Sequence, residues 1–323
     1  MRLFAQYVRD LISGTSSGWN RFWFTPADST TLCLIRIATG AMLVYTHAVW
    51  WTHLDAFFGS HPWISVEALR TGGVSPWAWS HLWFVSDSTT LHCLHAIAML
   101  AFVAMTLGWA TRFACIASWV FTVSYAHRGT GALFGLDQIN ALLTLYLIAA
   151  PCGEQFSLDS WFQRGRSKST PVPRPSIPAN IAARLIQVHL CVIYLFAGIS
   201  KLQGPAWWDG SAMWLAVANL EYQTIDLTWM VHTPWLVNAL THITIVWEVS
   251  YIALVWPRLT RPIVVALAIP LHLGIAGGLG MVTFGTIMLV ANAAFIPGET
   301  MRAFLGLKTA SSVSEPSSRP RVP

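Results

Sequence analysis

Five ionisable side chains stand inside long apolar stretches of this chain: Arg36, Asp137, Lys201, Glu248 and His272. Such groups are costly in hydrocarbon, so they face a bundle interior or a cavity. Lys201 has the most informative neighbours. Gln187 and Tyr194 precede it by fourteen and seven residues, and steps of seven keep side chains on nearly one helical face. Gln187, Tyr194 and Lys201 therefore form one polar stripe, and Gly198 beside Lys201 lets another helix approach. Desolvation disfavours a charged amine, and a neutral amine can act as a general base. The competing assignment is a lysine whose ammonium reaches the interface while its stem stays in the apolar layer. Arg36 calls for a counter-charge, which makes Arg36–Glu248 or Arg36–Asp137 the expected ion pair. His189, His242 and His272 lie on three separate segments and read as core hydrogen-bonding groups. No HExxH or Cys-x-x-Cys spacing appears, so no metal site is predicted. No glycine-rich phosphate loop is present either, and the glycines at 274, 277, 278 and 280 read as a tight interhelical turn.

These residues need elements to position them, and composition says which kind. Of 323 residues, 54% are hydrophobic and 10% charged, against about 25% charged in soluble domains. So few charges cannot cover a soluble surface, and so much apolar residue excludes disorder. A membrane-crossing helix needs about 20 mostly apolar residues. Eight such runs are readable, at roughly 31–52, 89–109, 112–127, 132–151, 182–202, 235–256, 261–278 and 280–297. The fold class is therefore all-α: a polytopic helical membrane bundle of about eight transmembrane helices. Asp28-Ser29-Thr30 and Ser86-Asp87-Ser88 supply N-caps for the first two runs, and Pro178 and Pro262 suit first turns.

Positive charge sets the expected orientation. With the N-terminus inside, the inner segments hold clusters such as Arg2, Arg9 and Arg21, Arg164 to Arg184, and Arg302 to Arg321. The outer ones hold only Arg70, Arg128 and Lys201. The net charge of +5 is thus a topology signal, and nucleic-acid binding is not predicted. The expectation is an integral plasma or inner-membrane protein with both termini cytoplasmic and Lys201 facing outward. Residues 1–30 form an inner amphipathic segment, 31–300 the transmembrane domain, and 301–323 a disordered polar tail. The five cysteines are scattered and read as small buried hydrophobes.

Eleven of the 18 tryptophans (Trp50, Trp51, Trp63, Trp77, Trp79, Trp83, Trp207, Trp208, Trp214, Trp229 and Trp235) fall at or in the outer loops. A plain aromatic belt would populate both interfaces, so the bias predicts a tryptophan-rich lid beside Lys201. Short interfacial helices are expected at 65–70 and 211–220.

The stretch from Gln187 to Leu202 reads Q-x6-Y-x2-A-G-x2-K-L and is followed by Trp207 and Gly210. In this it resembles the HTTM (horizontally transferred transmembrane domain) family, related to the membrane domain of vitamin K-dependent γ-carboxylase. Arg36 in Leu34–Gly40, Glu248, and His272 ahead of Gly280–Phe284 are similar to further family positions. The likeness covers about residues 20–300. It implies a reduced quinone of the vitamin K type as cofactor, Lys201 as the base that deprotonates it, and His272 in the same cavity. Thr130 stands near the place of a family histidine, and one extra residue separates Lys201 from Trp207 relative to the animal enzyme. The animal carboxylase continues into a soluble domain that binds its protein substrate. Here the expected counterpart is a small peptide or a soluble partner protein.

Three functions follow as alternatives. One is a quinol-dependent oxygenase or carboxylase-like enzyme using Lys201. Another is a non-enzymatic factor binding lipid, quinone or peptide, as in peptide maturation or export. The third is a transporter using Asp137 and Glu248, for which no inverted repeat is visible. Membrane lipids are partners in all three.

Overall fold

The computed structural model describes residues 2–72, 75–85, 87–166 and 174–307. Ser86, Lys168 and the polar tail from 308 onward lie outside these residues. Among the described residues every regular element is helical. Ten helices have nine residues or more: α1 (Arg2–Phe24), α2 (Thr30–Trp51), α3 (Ser88–Leu107), α4 (Thr111–Arg128), α5 (Gly135–Ala149), α6 (Leu158–Arg166), α7 (Ile177–Lys201), α8 (Pro234–Leu254), α9 (Arg261–Gly278) and α10 (Val282–Asn292). Five of them, α2, α3, α7, α8 and α9, are long and apolar enough to cross a membrane. A sixth arises if Val282–Phe295 and Gly298–Phe304 count as one span across their 109° bend. Of the other expected spans, α4 is diluted by Arg112, Arg128 and several hydroxyl residues, and α5 has only 15 residues. The eight expected runs are all helical, while length and composition qualify five or six as spans.

Helices adjacent in sequence pack as neighbours, α2 on α3, α7 on α8 and α9 on α10, and α5 touches α2, α7 and α10. The shared core is made of side chains such as Leu43, Phe102, Met105, Leu143, Leu190 and Tyr251. Helix starts follow the expected chemistry. Asp87 accepts from the Thr90 N–H at 2.8 Å, which satisfies one of the four unpaired donors that open a helix. Pro178 and Pro262 occupy first turns. Asp28 accepts from the Thr30 N–H at 2.7 Å and also meets Arg302 at 2.7 Å, both side chains nearly buried. This pair ties the two ends of the bundle domain together.

The amphipathic α1 is exposed along most of its length. It docks by its last turn, where Asn180 donates to the Phe22 and Trp23 carbonyls and Arg184 lies 4.5 Å over the Phe22 ring. Short helices stand at the expected places, as Val66–Thr71 and Ala212–Val217. Residues 205–232 and the first turns of α8 share a small core, Val217, Met230 and Val237, separate from the main one.

Candidate functional site

Lys201 is the last residue of α7, and its partner lies on α8. Its Nζ stands 2.8 Å from Glu248 Oε2 and donates to Oε1 at 3.0 Å. Oε2 sits at ion-pair distance with no hydrogen bond of its own. The lysine side chain is 24% exposed and the glutamate 9%, so the pair is open on the lysine side only. The Trp207 ring covers the ammonium at 5.4 Å, a favourable contact between a cation and a π-face. Gly198 makes the approach of the two helices possible: a Cβ there would stand 2.7 Å from Val249 Cγ2.

The pair is recessed. Glu248 is fourteen residues into α8, roughly 21 Å from its start at 1.5 Å per residue. The first half of α8 therefore continues past Lys201. There Asn238 donates to the Asp209 carbonyl at 3.3 Å, and Thr241 donates to that of Gly210 at 3.0 Å. Residues 205–217 and the first half of α8 make a collar above the pair.

Below it, toward the opposite end of α7, lies a fully buried chain of hydrogen bonds. Tyr251 donates to Asn292 Oδ1 at 2.7 Å. The Asn292 amide donates to the Tyr194 hydroxyl at 2.8 Å. The Tyr194 proton is then left for His272 Nε2, 2.6 Å away. That order puts the imidazole proton on Nδ1, which is buried without a partner. The Tyr194 ring packs on Tyr251 at 4.3 Å and on Trp247 at 4.8 Å.

The structure thus brings Lys201, Glu248 and Trp207 together, and links Tyr194 with His272. Gln187, on the same helix, works elsewhere: it donates to the Ala294 carbonyl at 2.7 Å and accepts from Arg184. The expected Arg36 ion pairs do not form. Arg36 is completely buried and donates to the backbone carbonyls of Met105 at 2.9 Å and Phe156 at 2.6 Å. Backbone dipoles on a neighbouring helix and loop take the place of the carboxylate, and Glu248 is engaged by Lys201. Asp137 is not deep in a span either. It is the third residue of α5 and accepts from the Phe134 N–H at 3.1 Å, closing the helix start.

Tyr251 and Asn292 were not among the expected site residues, although each carries a signal. Tyr251 falls three residues after Glu248, on one helical face, and Asn292 is a polar residue in an otherwise apolar run. The expected lid divides in two. Trp207 lies over Lys201, and Trp208 donates to the Leu202 carbonyl at 2.7 Å. The tryptophans of the first long loop meet other partners, Trp79 with His127 and Trp83 with Arg70.

A second buried cluster joins α2, α3 and α4. His95 bonds the Tyr125 hydroxyl at 2.7 Å and the His47 carbonyl at 3.0 Å. Beside it, His81 Nδ1 meets Ser124 Oγ at 2.6 Å, and burial pushes the His81 imidazole down from its ordinary value. Among the described residues no group of three His, Cys, Asp or Glu side chains could hold a metal ion.

No curated protein and no solved structure matches this chain. The profile of the HTTM domain does, over residues 24–299. That stretch runs from the end of α1 to the bend after α10 and contains every residue of the Lys201 and His272 clusters. Apolar spans and family profile agree, and the chain is an integral membrane protein belonging to the HTTM family.

Proposed function

We propose that this protein is a membrane enzyme that removes a proton from a ligand hydroxyl at the Lys201–Glu248 pair, with a reduced quinone of the vitamin K type as the group bound there. The carrying observation is the recessed ion pair, open on one side and covered by an indole. The donor set fits such a group. Lys201, on the open side, offers N–H bonds to an oxygen, the Glu248 carboxylate behind it can hold a proton, and Trp207 offers an aromatic face. When bound, a quinol supplies an ionisable ring hydroxyl and oxidation chemistry.

The role expected of Lys201 alone is divided between two residues here. A lysine held by a carboxylate is an ammonium, not a free amine. The Lys201 ammonium passes a proton to the buried Glu248 carboxylate. The amine on the open side then takes the hydroxyl proton and, as an ammonium again, stabilises negative charge at the hydroxyl oxygen, where low dielectric strengthens the interaction. Tyr194, Tyr251 and Asn292 lock His272 and the facing walls of α7 and α8 behind the pair, which makes them positioning residues. The reading also places the Lys201 end of the bundle on the outer side of the membrane, with the termini cytoplasmic.

The test is consumption of a reduced naphthoquinone and oxygen by the protein in vesicles. Lys201→Met/Glu248→Gln removes both charges together, so no uncompensated ion remains, and it abolishes consumption while the protein stays folded. Wild-type protein that never consumes quinol and oxygen overturns the reading. A binding factor for lipid, quinone or peptide, helped by a soluble partner, is the second reading. It is favoured by a cavity in the collar that Lys201 does not line. Ligand binding that survives in the double variant, without consumption in wild type, would select it.

A further inference from the structure

The collar above Lys201 lines an open cavity of about 300 Å³ that the quinol reading does not use. Its size is at the lower end of small-molecule sites, roughly 300–1,000 Å³. Its wall is apolar, formed by Trp214, Met230 and Val237, and its polar groups are Asp209, Ser211 and Asn238. The wall belongs to a small core shared by the collar and the first turns of α8, separate from the main core. Gly210 completes it: its φ is +81°, and a Cβ there would collide with the Asn238 amide.

Hydrogen-bond accounting at the rim leaves half of the Asp209 carboxylate unspent. Ser211 donates both its backbone N–H, at 2.9 Å, and its hydroxyl, at 2.6 Å, to Asp209 Oδ1. One Asn238 N–H is spent on the Asp209 carbonyl. What is left without a partner among the described residues is Asp209 Oδ2, Asn238 Oδ1 and the second Asn238 N–H. Asp209 is the only ionisable side chain in the lining, and the bonds from Ser211 hold its carboxyl below the usual carboxylate range. The site is therefore an open, largely apolar cavity with a carboxylate at its exposed rim and an indole in its wall. An anion or a phosphate would find no Lys or Arg there. A cation with N–H groups and an apolar body finds a counter-charge, acceptors and a π-face together.

We propose that this cavity binds an organic ammonium ion, its N–H groups on Asp209 Oδ2 and Asn238 Oδ1 and its apolar body against Trp214, Met230 and Val237. A free alkylamine and the ethanolamine headgroup of a lipid share this chemistry. The site is separate from the Lys201–Glu248 pair and stands whether or not that pair deprotonates a quinol.

The experiment is calorimetric titration of the protein in phosphatidylcholine nanodiscs with 4-phenylbutylamine, 4-phenylbutanol and 4-phenylbutyrate. The amine binds at least tenfold more tightly than the alcohol, and the carboxylate does not bind. Asp209→Asn keeps the acceptor that Ser211 uses and loses tenfold or more in amine affinity. Asp226→Asn, in the same kind of turn with Thr228 but outside the cavity lining, leaves it unchanged. So does Lys201→Met/Glu248→Gln, which separates failure here from failure of the quinol reading. Competition by added phosphatidylethanolamine identifies the lipid headgroup as the source, and its absence identifies a free amine. Equal affinity for amine and alcohol, no amine binding, or Asp209→Asn binding like wild type overturns the proposal.

Discussion

Arg36 and Lys201 are both cations on apolar helices, yet their surroundings differ in kind. Arg36 is completely buried and bound by two backbone carbonyls. Lys201 is part exposed and meets both oxygens of a carboxylate from another helix. Backbone carbonyls cannot take a proton, so Arg36 holds helices α2 and α3 and the loop at Phe156 in fixed positions. A carboxylate can take one, so the Lys201 end has a proton acceptor that the Arg36 end lacks. The Arg302–Asp28 pair belongs with Arg36. Although it is ionic, both side chains are nearly buried, and Thr30 occupies the other carboxylate oxygen.

Variants can break this comparison. Arg302→Ala strands the buried Asp28 carboxylate and should cost about 3–5 kcal/mol, the range for breaking buried ion pairs, seen as a large drop in Tm. Tyr194→Phe leaves both Asn292 and His272 without their shared partner and should cost about 1–3 kcal/mol for each stranded buried group. Tyr125→Phe strands one group, His95 Nδ1, and should lower Tm less. Gly198→Ala should cost about 1–3 kcal/mol by overpacking α7 against α8 and should also shift the Lys201–Glu248 geometry. Lys201→Met/Glu248→Gln should change stability by no more than about 1 kcal/mol, because replacing both members of a recessed pair leaves no uncompensated charge and is often near neutral. An equal loss for this variant and for Arg302→Ala would erase the distinction between the two ends.

The smallest expected effect is a pH dependence at the second cluster. Burial lowers the His81 imidazole below its ordinary value, so the unfolded chain binds that proton more readily than the folded one. Stability is therefore present above about pH 6.5 and declines as pH falls below it. The slope of Tm against pH should flatten in His81→Asn, and an unchanged slope would assign the titration to another group.

The helices are legible in the sequence because long apolar runs are sparsely punctuated, and Asp28, Asp87, Pro178 and Pro262 mark their starts where expected. The polar stripe on α7 is legible for the same reason: a seven-residue spacing is a local property of one helix. Pairing is not local. Arg36 reads as needing a carboxylate, and only the folded chain brings the Met105 and Phe156 carbonyls to it. Asp159 likewise closes the start of α4 by accepting from the Thr111 N–H at 2.8 Å, across a separation that no local spacing reveals. Asp137 reads as buried because its neighbours are apolar, but α5 starts so close to it that the carboxylate caps the helix instead. Span count follows the same division. Apolar runs appear in sequence, while their qualification as spans depends on where each helix begins and ends.

Quinol and oxygen consumption by the purified protein in vesicles, compared between wild type and Lys201→Met/Glu248→Gln with Tm recorded on both, is the most direct test of the Lys201–Glu248 assignment. Consumption by wild type, and its loss in a double variant that unfolds at nearly the same temperature, is the expected result. A folded double variant that consumes quinol as fast as wild type, or a wild type that consumes none, would contradict it.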